Sequence, residues 1–151
     1  MSQEIAKRLL ELERRMDGLN LPEVGSQPVF LDEPLTNTTF DGDSFSTVAV
    51  HTKIENTSWS TTIPTNATAL IIRMDTNDEA SAATPTLYFA LYSTATATGA
   101  GMVGRPSGKA NDDRDTECSV VPCTNGDVWY RCAASGANTL DVRLWCVGYW
   151  L

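Results

Sequence analysis

Positive charge, histidine and long apolar runs are scarce in this sequence. Its 151 residues carry 11 Lys and Arg against 19 Asp and Glu, a net charge of −8, and a single histidine, His51. The deficit is uneven: residues 1–20 hold four basic and four acidic side chains, so the whole −8 falls on residues 21–151. A surface of that sign repels phosphate backbones and anionic headgroups, which argues against nucleic acid and membrane as partners. No stretch approaches the roughly 18 apolar residues of a spanning helix, and the charged N-terminus lacks the apolar block of a secretory signal. The chain is therefore read as soluble and made in the cytosol.

Cysteine is also sparse and one-sided. Cys118, Cys123, Cys132 and Cys146 all fall in the last 34 residues, with spacings that match no common zinc pattern. A cytosolic chain large enough to bury a core needs no disulfide, so mostly free thiols are expected, with Cys132 and Cys146 packing as small hydrophobes in strands. A catalytic triad needs a base converging with a nucleophile and an orienting acid, and His51 sits in a strand pattern with no obvious partner nearby in sequence. No enzymatic activity and no cofactor are expected.

What is present begins with a periodic lead. Ile5, Leu9, Leu12, Met16 and Leu19 step by 4, 3, 4 and 3, a short coiled-coil seam. With Ile5, Leu12 and Leu19 at d and Leu9 and Met16 at a, Arg8 at g faces Glu13 at the following e of a partner helix. Glu4 with Arg8 and Glu11 with Arg15 hold the favourable acid-first i, i+4 spacing. About two and a half heptads are marginal alone, so further contacts between the following domains must help hold the copies together.

Gly18, Pro22, Gly25, Pro28 and Pro34 stop that helix and prevent another. The organisation read from this is a coiled-coil helix over residues 1–20, an extended connector over 21–35 and a β-domain over 36–151. In the β-domain, Thr, Val, Ala and aromatics alternate with period two between turn residues. Strands are expected at Phe45 to Thr52, Ala67 to Met74, Thr86 to Tyr92, Asp127 to Ala133 and Leu140 to Trp150, with weaker ones near Val29, Trp59 and Val120. The fold class is mainly β, an antiparallel β-sandwich or jelly roll. Thr86 to Tyr92 is apolar on both faces and reads as a central strand. In the last strand, Leu140, Val142, Leu144, Cys146 and Gly148 form one face. The other carries Asp141, Arg143, Trp145, Val147 and Tyr149. Its aromatic end, Trp145 and Tyr149, is expected to be covered by another sheet or another subunit.

Several motifs dissolve on their context. Gly99, Gly101 and Gly104 spell G-x-G-x-x-G, but Arg105-Pro106-Ser107-Gly108 follows where a dinucleotide site needs a helix. Asp112, Asp113, Asp115 and Glu117, with Asp41 and Asp43, offer oxygen ligands for calcium without the spacing of a calcium loop, and a solvated acidic loop is the favoured reading. Asn37, Asn56 and Asn66 each open an N-x-Ser/Thr triplet, read as Thr-rich turns in a chain without a secretory route. Trp59, Trp129, Tyr130, Trp145, Tyr149 and Trp150 have faces suited to stacking on sugars, although core or subunit-contact roles are commoner.

The heptad lead, the proline-containing connector, the Thr/Ala-rich β-body and the terminal strand from Asp141 to Leu151 together resemble small structural proteins of tailed bacteriophages. The resemblance implies a virion location, synthesis in the host cytoplasm, a homotrimer formed through the N-terminal helix, and other virion proteins as partners. It offers no catalytic residue. Two roles follow from it: a fibre or tail appendage that binds a host surface glycan or protein through loops such as Gly99 to Glu117, or a capsid decoration or head-fibre protein that stabilises the shell. A carbohydrate-binding module is a third reading.

Overall fold

The computed structural model describes residues 27–78, 87–106 and 113–151. The helical seam of residues 1–20 and the first part of the connector, 21–26, lie outside them. Eight strands follow in order: β1 (Pro28–Phe45), β2 (Val48–Ile54), β3 (Ala69–Asp78), β4 (Tyr88–Tyr92), β5 (Met102–Gly104), β6 (Asp113–Pro122), β7 (Val128–Ala133) and β8 (Leu140–Trp150). They pair antiparallel into two four-stranded sheets. Sheet 1 has the order β1-β8-β3-β6, and sheet 2 the order β2-β7-β4-β5. Every link except β4–β5 passes from one sheet to the other, which is the strand order of an eight-stranded jelly roll.

The period-two pattern explains the layers. Leu70, Ile72 and Met74 of β3 and Leu140, Val142, Leu144 and Cys146 of β8 point inward from sheet 1, while Phe89, Leu91, Val128 and Cys132 point inward from sheet 2; all are essentially fully buried. β4 lies between β7 and β5 with Ala90 and Tyr92 also buried on its other face, as expected of a central strand. An aromatic group spans the two layers. Phe40 of β1 stacks on Phe45 at 5.0 Å and meets Phe89 at 5.5 Å and Tyr130 at 5.0 Å edge-on.

Three features depart from the sequence reading. Residues 28–35, placed in the connector, are extended as expected but belong to the sheet. β1 is an edge strand, and Pro34 falls in a register break between Phe30 and Leu35, so no ladder donor is missed. The weak strand near Trp59 is a 3₁₀ turn at Asn56–Ser58 followed by a single bridge from Trp59 to Asn37. Finally, β8 carries one extra residue between the partners of Ile71 and Ile72. That bulge reverses the facing of everything beyond it. Tyr149, expected beside Trp145, packs against the core instead, and Gly148 turns outward beside Ile71. A Cβ on Gly148 would lie 2.6 Å from the Val29 carbonyl oxygen, so the close approach of β1 to β8 there requires glycine.

Buried polar groups fix two corners. Asp78, fully buried, accepts hydrogen bonds from the Ser135 amide and hydroxyl and from the Thr139 hydroxyl, locking the β7–β8 link. The β6–β7 link turns through Asn125 and Gly126, both at positive φ, as an Asn-Gly turn demands. Asp127 then accepts the Asn56 amide at 2.8 Å and pairs with Lys53 at 3.0 Å.

All four cysteines are free thiols, with Cys132 and Cys146 buried in the core as expected. Burial pushes the Cys146 thiol up to about 11 from an ordinary value of 9.0. The unfolded thiol ionises first, so its contribution to stability is complete below pH 9.0 and is lost as pH rises toward about 11. Denaturant midpoints measured from about pH 8 to about pH 10.5 are expected to fall, and Cys146→Ala is expected to flatten that fall. An equally steep fall in the variant would assign the loss to other groups.

Candidate functional site

Cross-strand register turns the outer face of sheet 1 into ordered rows. At one end lie Pro28, Trp150, Ala69 and Pro122, and next to them Phe30, Gly148, Ile71 and Val120. A third row carries Thr36, Trp145, Arg73 and Cys118, with the Arg73 guanidinium 5.1 Å from the Trp145 ring centre. The two rows at the far end are charged. There Arg114 approaches Asp75 at 3.7 Å, the Thr116 hydroxyl donates to Asp75, the Ser44 hydroxyl donates to Asp141, and Arg143 Nε donates to the Asp41 carbonyl. The face thus runs from apolar to ionic along the strands. Its charges answer one another, while its apolar rows have no partner among the described residues: Phe30 is 71% exposed and Val120 47%.

A second feature opens where β1 and β2, the edges of the two sheets, diverge. From Thr36 to Asp41, β1 advances five residues while β8 advances two, from Trp145 to Arg143. The surplus residues leave the ladder and bulge inward, which lets Phe40 reach the aromatic group. Across the gap, β2 is also out of register between Val48 and Thr52. The two irregular edges enclose a crevice of about 170 Å³ lined by Asn37, Thr39, Phe40, Thr52, Lys53, Ile54, Ser58 and Tyr130.

Asn37 is the unusual member. It is 0% exposed, its Oδ1 accepts the Thr39 amide at 3.0 Å, and its Nδ2 has no acceptor. An unmet buried donor costs about 1–3 kcal/mol. Around it stand hydroxyls and two rings. Burial, with the neighbouring Cys132 second, raises the Tyr130 phenol above its ordinary range, so it is a neutral donor at physiological pH. The hydrogen bond to Asp127 holds the Lys53 ammonium above its usual pKa, and with Glu55 at 3.5 Å two carboxylates answer this one cation.

The other sequence candidates separate. His51 lies on β2 with its ring edge-on to Tyr92 at 4.4 Å. Gly99, Gly101 and Gly104 serve the β4–β5 link: the Gly101 amide donates to the Leu91 carbonyl, and Gly104 is buried in β5. The segment Gly99 to Glu117, expected as a recognition loop, is therefore partly strand, with β5 and the start of β6 inside it. Asp115 and Glu117 lie on the inward side of β6 opposite Thr76 and Met74, and Asp115 accepts the Arg105 amide at 2.7 Å. Asp41 lies on the opposite edge strand, and no metal-holding acidic, His or Cys cluster forms among the described residues. Asp112 and the side chains of Asp43 and Asp113 lie outside the description.

Of the residues expected at a subunit interface, Ile5, Leu9, Leu12, Met16 and Leu19 are outside the described part. Trp145 is on the outer face of sheet 1, and Tyr149 is on its core side. Phe30, Val120 and Asn37 were missed. Phe30 was hidden in the connector, and Asn37 in a Thr-rich run that gives no sign of burial. No protein-family model matches the chain. No curated protein is significantly similar to it.

These placements are separable by mutation. Tyr149→Ser is expected to cost about 2–4 kcal/mol in denaturant unfolding, as loss of core packing does, whereas Phe30→Ser and Val120→Ser, compared with the parent at a dilution where every chain is dissociated, are expected to change stability by less than about 1 kcal/mol. Equal costs at all three positions would contradict the reversal of facing at the β8 bulge.

Proposed function

We propose that this chain is a non-enzymatic structural protein of a bacteriophage virion, an oligomeric appendage whose jelly-roll heads are joined by the N-terminal seam and present a binding surface to the host. The observation that carries the assembly half is the apolar end of the outer face of sheet 1. β1 starts there, with Pro28 opposite Trp150, so the preceding 27 residues join the domain beside the exposed Phe30 row. A seam that gathers several copies at this end brings those rows to one another.

Magnitudes make the two parts interdependent. Four strands about 4.8 Å apart and three rows about 6.8 Å apart cover on the order of 400 Å². A stable interface needs about 800 Å² per partner. Neither that patch nor a seam of about two and a half heptads suffices alone, and together they reach the required scale. The net charge of −8 opposes close packing of copies, which supports a contact on the face where charges are answered or absent.

Light scattering on the whole chain at micromolar concentration is expected to give about three times the chain mass of 16.4 kDa. Ile5→Asp with Leu12→Asp, and separately Phe30→Asp with Val120→Asp, are expected to shift the mass toward the monomer. A monomeric parent chain would end the assembly reading. Labelled protein that stains host cells supports the appendage role, whereas restoration of heat resistance to depleted capsids without staining favours shell decoration.

A further inference from the structure

We propose that the crevice between β1 and β2 binds one neutral pyranose ring, with the Asn37 carboxamide as its hydrogen-bond anchor. The inference rests on the surface-binding half of the function proposed above and is independent of the assembly half. It begins from the wall of the crevice. Asn37 is wholly buried, its carbonyl oxygen is committed to the Thr39 amide, and its Nδ2 lacks an acceptor. Buried amide donors in folded proteins are almost always satisfied, and those that are not mark strain or an absent partner. The group missing here must be an acceptor.

The surroundings narrow its chemistry. Thr39, Thr52, Ser58 and Tyr130 bring hydroxyls to the same crevice, and these donate or accept as a ligand requires. Tyr130, which is half-buried, supplies ring surface for the apolar side of a sugar. Lys53 does not convert the site to an anion receptor, because Asp127 at 3.0 Å and Glu55 at 3.5 Å outnumber it and leave the local balance negative. An acidic sugar is therefore repelled. A neutral, hydroxyl-rich ring meets the orphan donor with an acceptor, the hydroxyls with its own, and Tyr130 with its C–H face. The crevice of about 170 Å³ suits a single ring rather than a chain of them.

One wall is irregular in a way that serves recognition. β1 leaves its ladder over the Asn37 to Phe40 stretch, whereas Thr52, Lys53 and Ile54 of the β2 wall keep their register with β7. A bulge re-aims side chains, and here it brings Asn37 and Thr39 to the opening. Repeated over several copies, a weak single-ring site becomes an avid surface.

The test is a nuclear magnetic resonance titration of the isotope-labelled whole chain with methyl glucoside, methyl galactoside and N-acetylglucosamine, and with glucuronate as the acidic control. At least one neutral sugar is expected to give saturable shifts of the Asn37 side-chain amide, with a Kd in the millimolar range fitting so small a ligand. Glucuronate is expected to bind at least about fivefold more weakly, because two carboxylates flank Lys53. Asn37→Asp removes the donor, and with it the reporting amide, so in this variant binding is read at the backbone amides of Thr39, Thr52 and Lys53, where the saturable shifts seen in the parent chain are expected to be lost. Because that change also buries a carboxyl group, Thr39→Tyr is the second variant: it alters an exposed position and blocks the opening without touching the core. Absence of saturable shifts at Asn37 with all three neutral sugars, binding that survives Thr39→Tyr, or tighter binding of glucuronate would each overturn the inference. Light scattering on the same samples reads assembly separately. An assembled chain silent to sugar sinks this inference alone, and a monomer that binds sugar sinks only the assembly.

Discussion

The insertion of Phe40 between the two sheets is the contact on which the rest of the structure depends. A sandwich of two four-stranded sheets needs side chains long enough to bridge its open edge, where β1 and β2 part. Phe40 provides the bridge by packing against Phe45 of its own strand and against Phe89 and Tyr130 of the opposite sheet. Phe89 and Tyr130 stack in turn at 5.4 Å, so four rings form one group across both layers. Aromatic pairs of this geometry contribute about 0.5–1.5 kcal/mol each beyond the area they bury. The cost appears in the ladder. For Phe40 to turn inward, β1 must leave its pairing with β8 between Thr36 and Asp41, and that departure carries Asn37 and Thr39 into the wall of the crevice. Packing at the edge thereby buries a carboxamide with one donor unmet.

Much of the fold was legible because alternation is a local signal. β3, β4, β7 and β8 were placed within a few residues, and the burial of Leu70, Ile72, Phe89, Leu91, Val142 and Leu144 follows from period two alone. β5 was not legible: three residues, Met102–Gly104, lie among glycines and pair only because β4 offers its free edge. Of β1 only a weak strand near Val29 was legible, because its prolines masked the rest. Proline forbids a ladder donor, but an edge strand with register breaks has places where none is needed, and Pro34 occupies one. The facing of Tyr149 could not be read either. One extra residue in β8 inverts the parity of the strand, and nothing in the run Leu144 to Trp150 marks the position of the bulge except Gly148, whose missing side chain admits the Val29 carbonyl.

The candidate site was less legible than the fold, for a related reason. Sequence reasoning looked for aromatics and acids by residue type, whereas the structure sorts them by face. Trp145 lies outward under Arg73, and Tyr130 joins the core group, so the set of ring-bearing residues divides between surface and interior. The acidic run likewise divides: Asp115 and Glu117 take inward-facing positions on β6, and Asp115 is already engaged by the Arg105 amide. Charges that look like a ligand cluster along the chain become alternate-face residues once the segment is a strand.

Asn37 and Asp78 show how burial of a polar group separates structure from recognition. Both are fully buried, Asp78 at the end of β3 and Asn37 within β1. Asp78 is answered from three sides by Ser135 and Thr139, so its burial fixes the β7–β8 link and leaves nothing over for a ligand. Asn37 is answered on one side only. A leucine or threonine at position 37 would avoid the unmet donor, and nothing in the bridge to Trp59 demands a carboxamide, because that bridge runs through the backbone. The difference between the two residues is therefore not burial but remainder. A satisfied polar network is complete within the fold, whereas a half-satisfied one beside an opening still has a hydrogen bond to give.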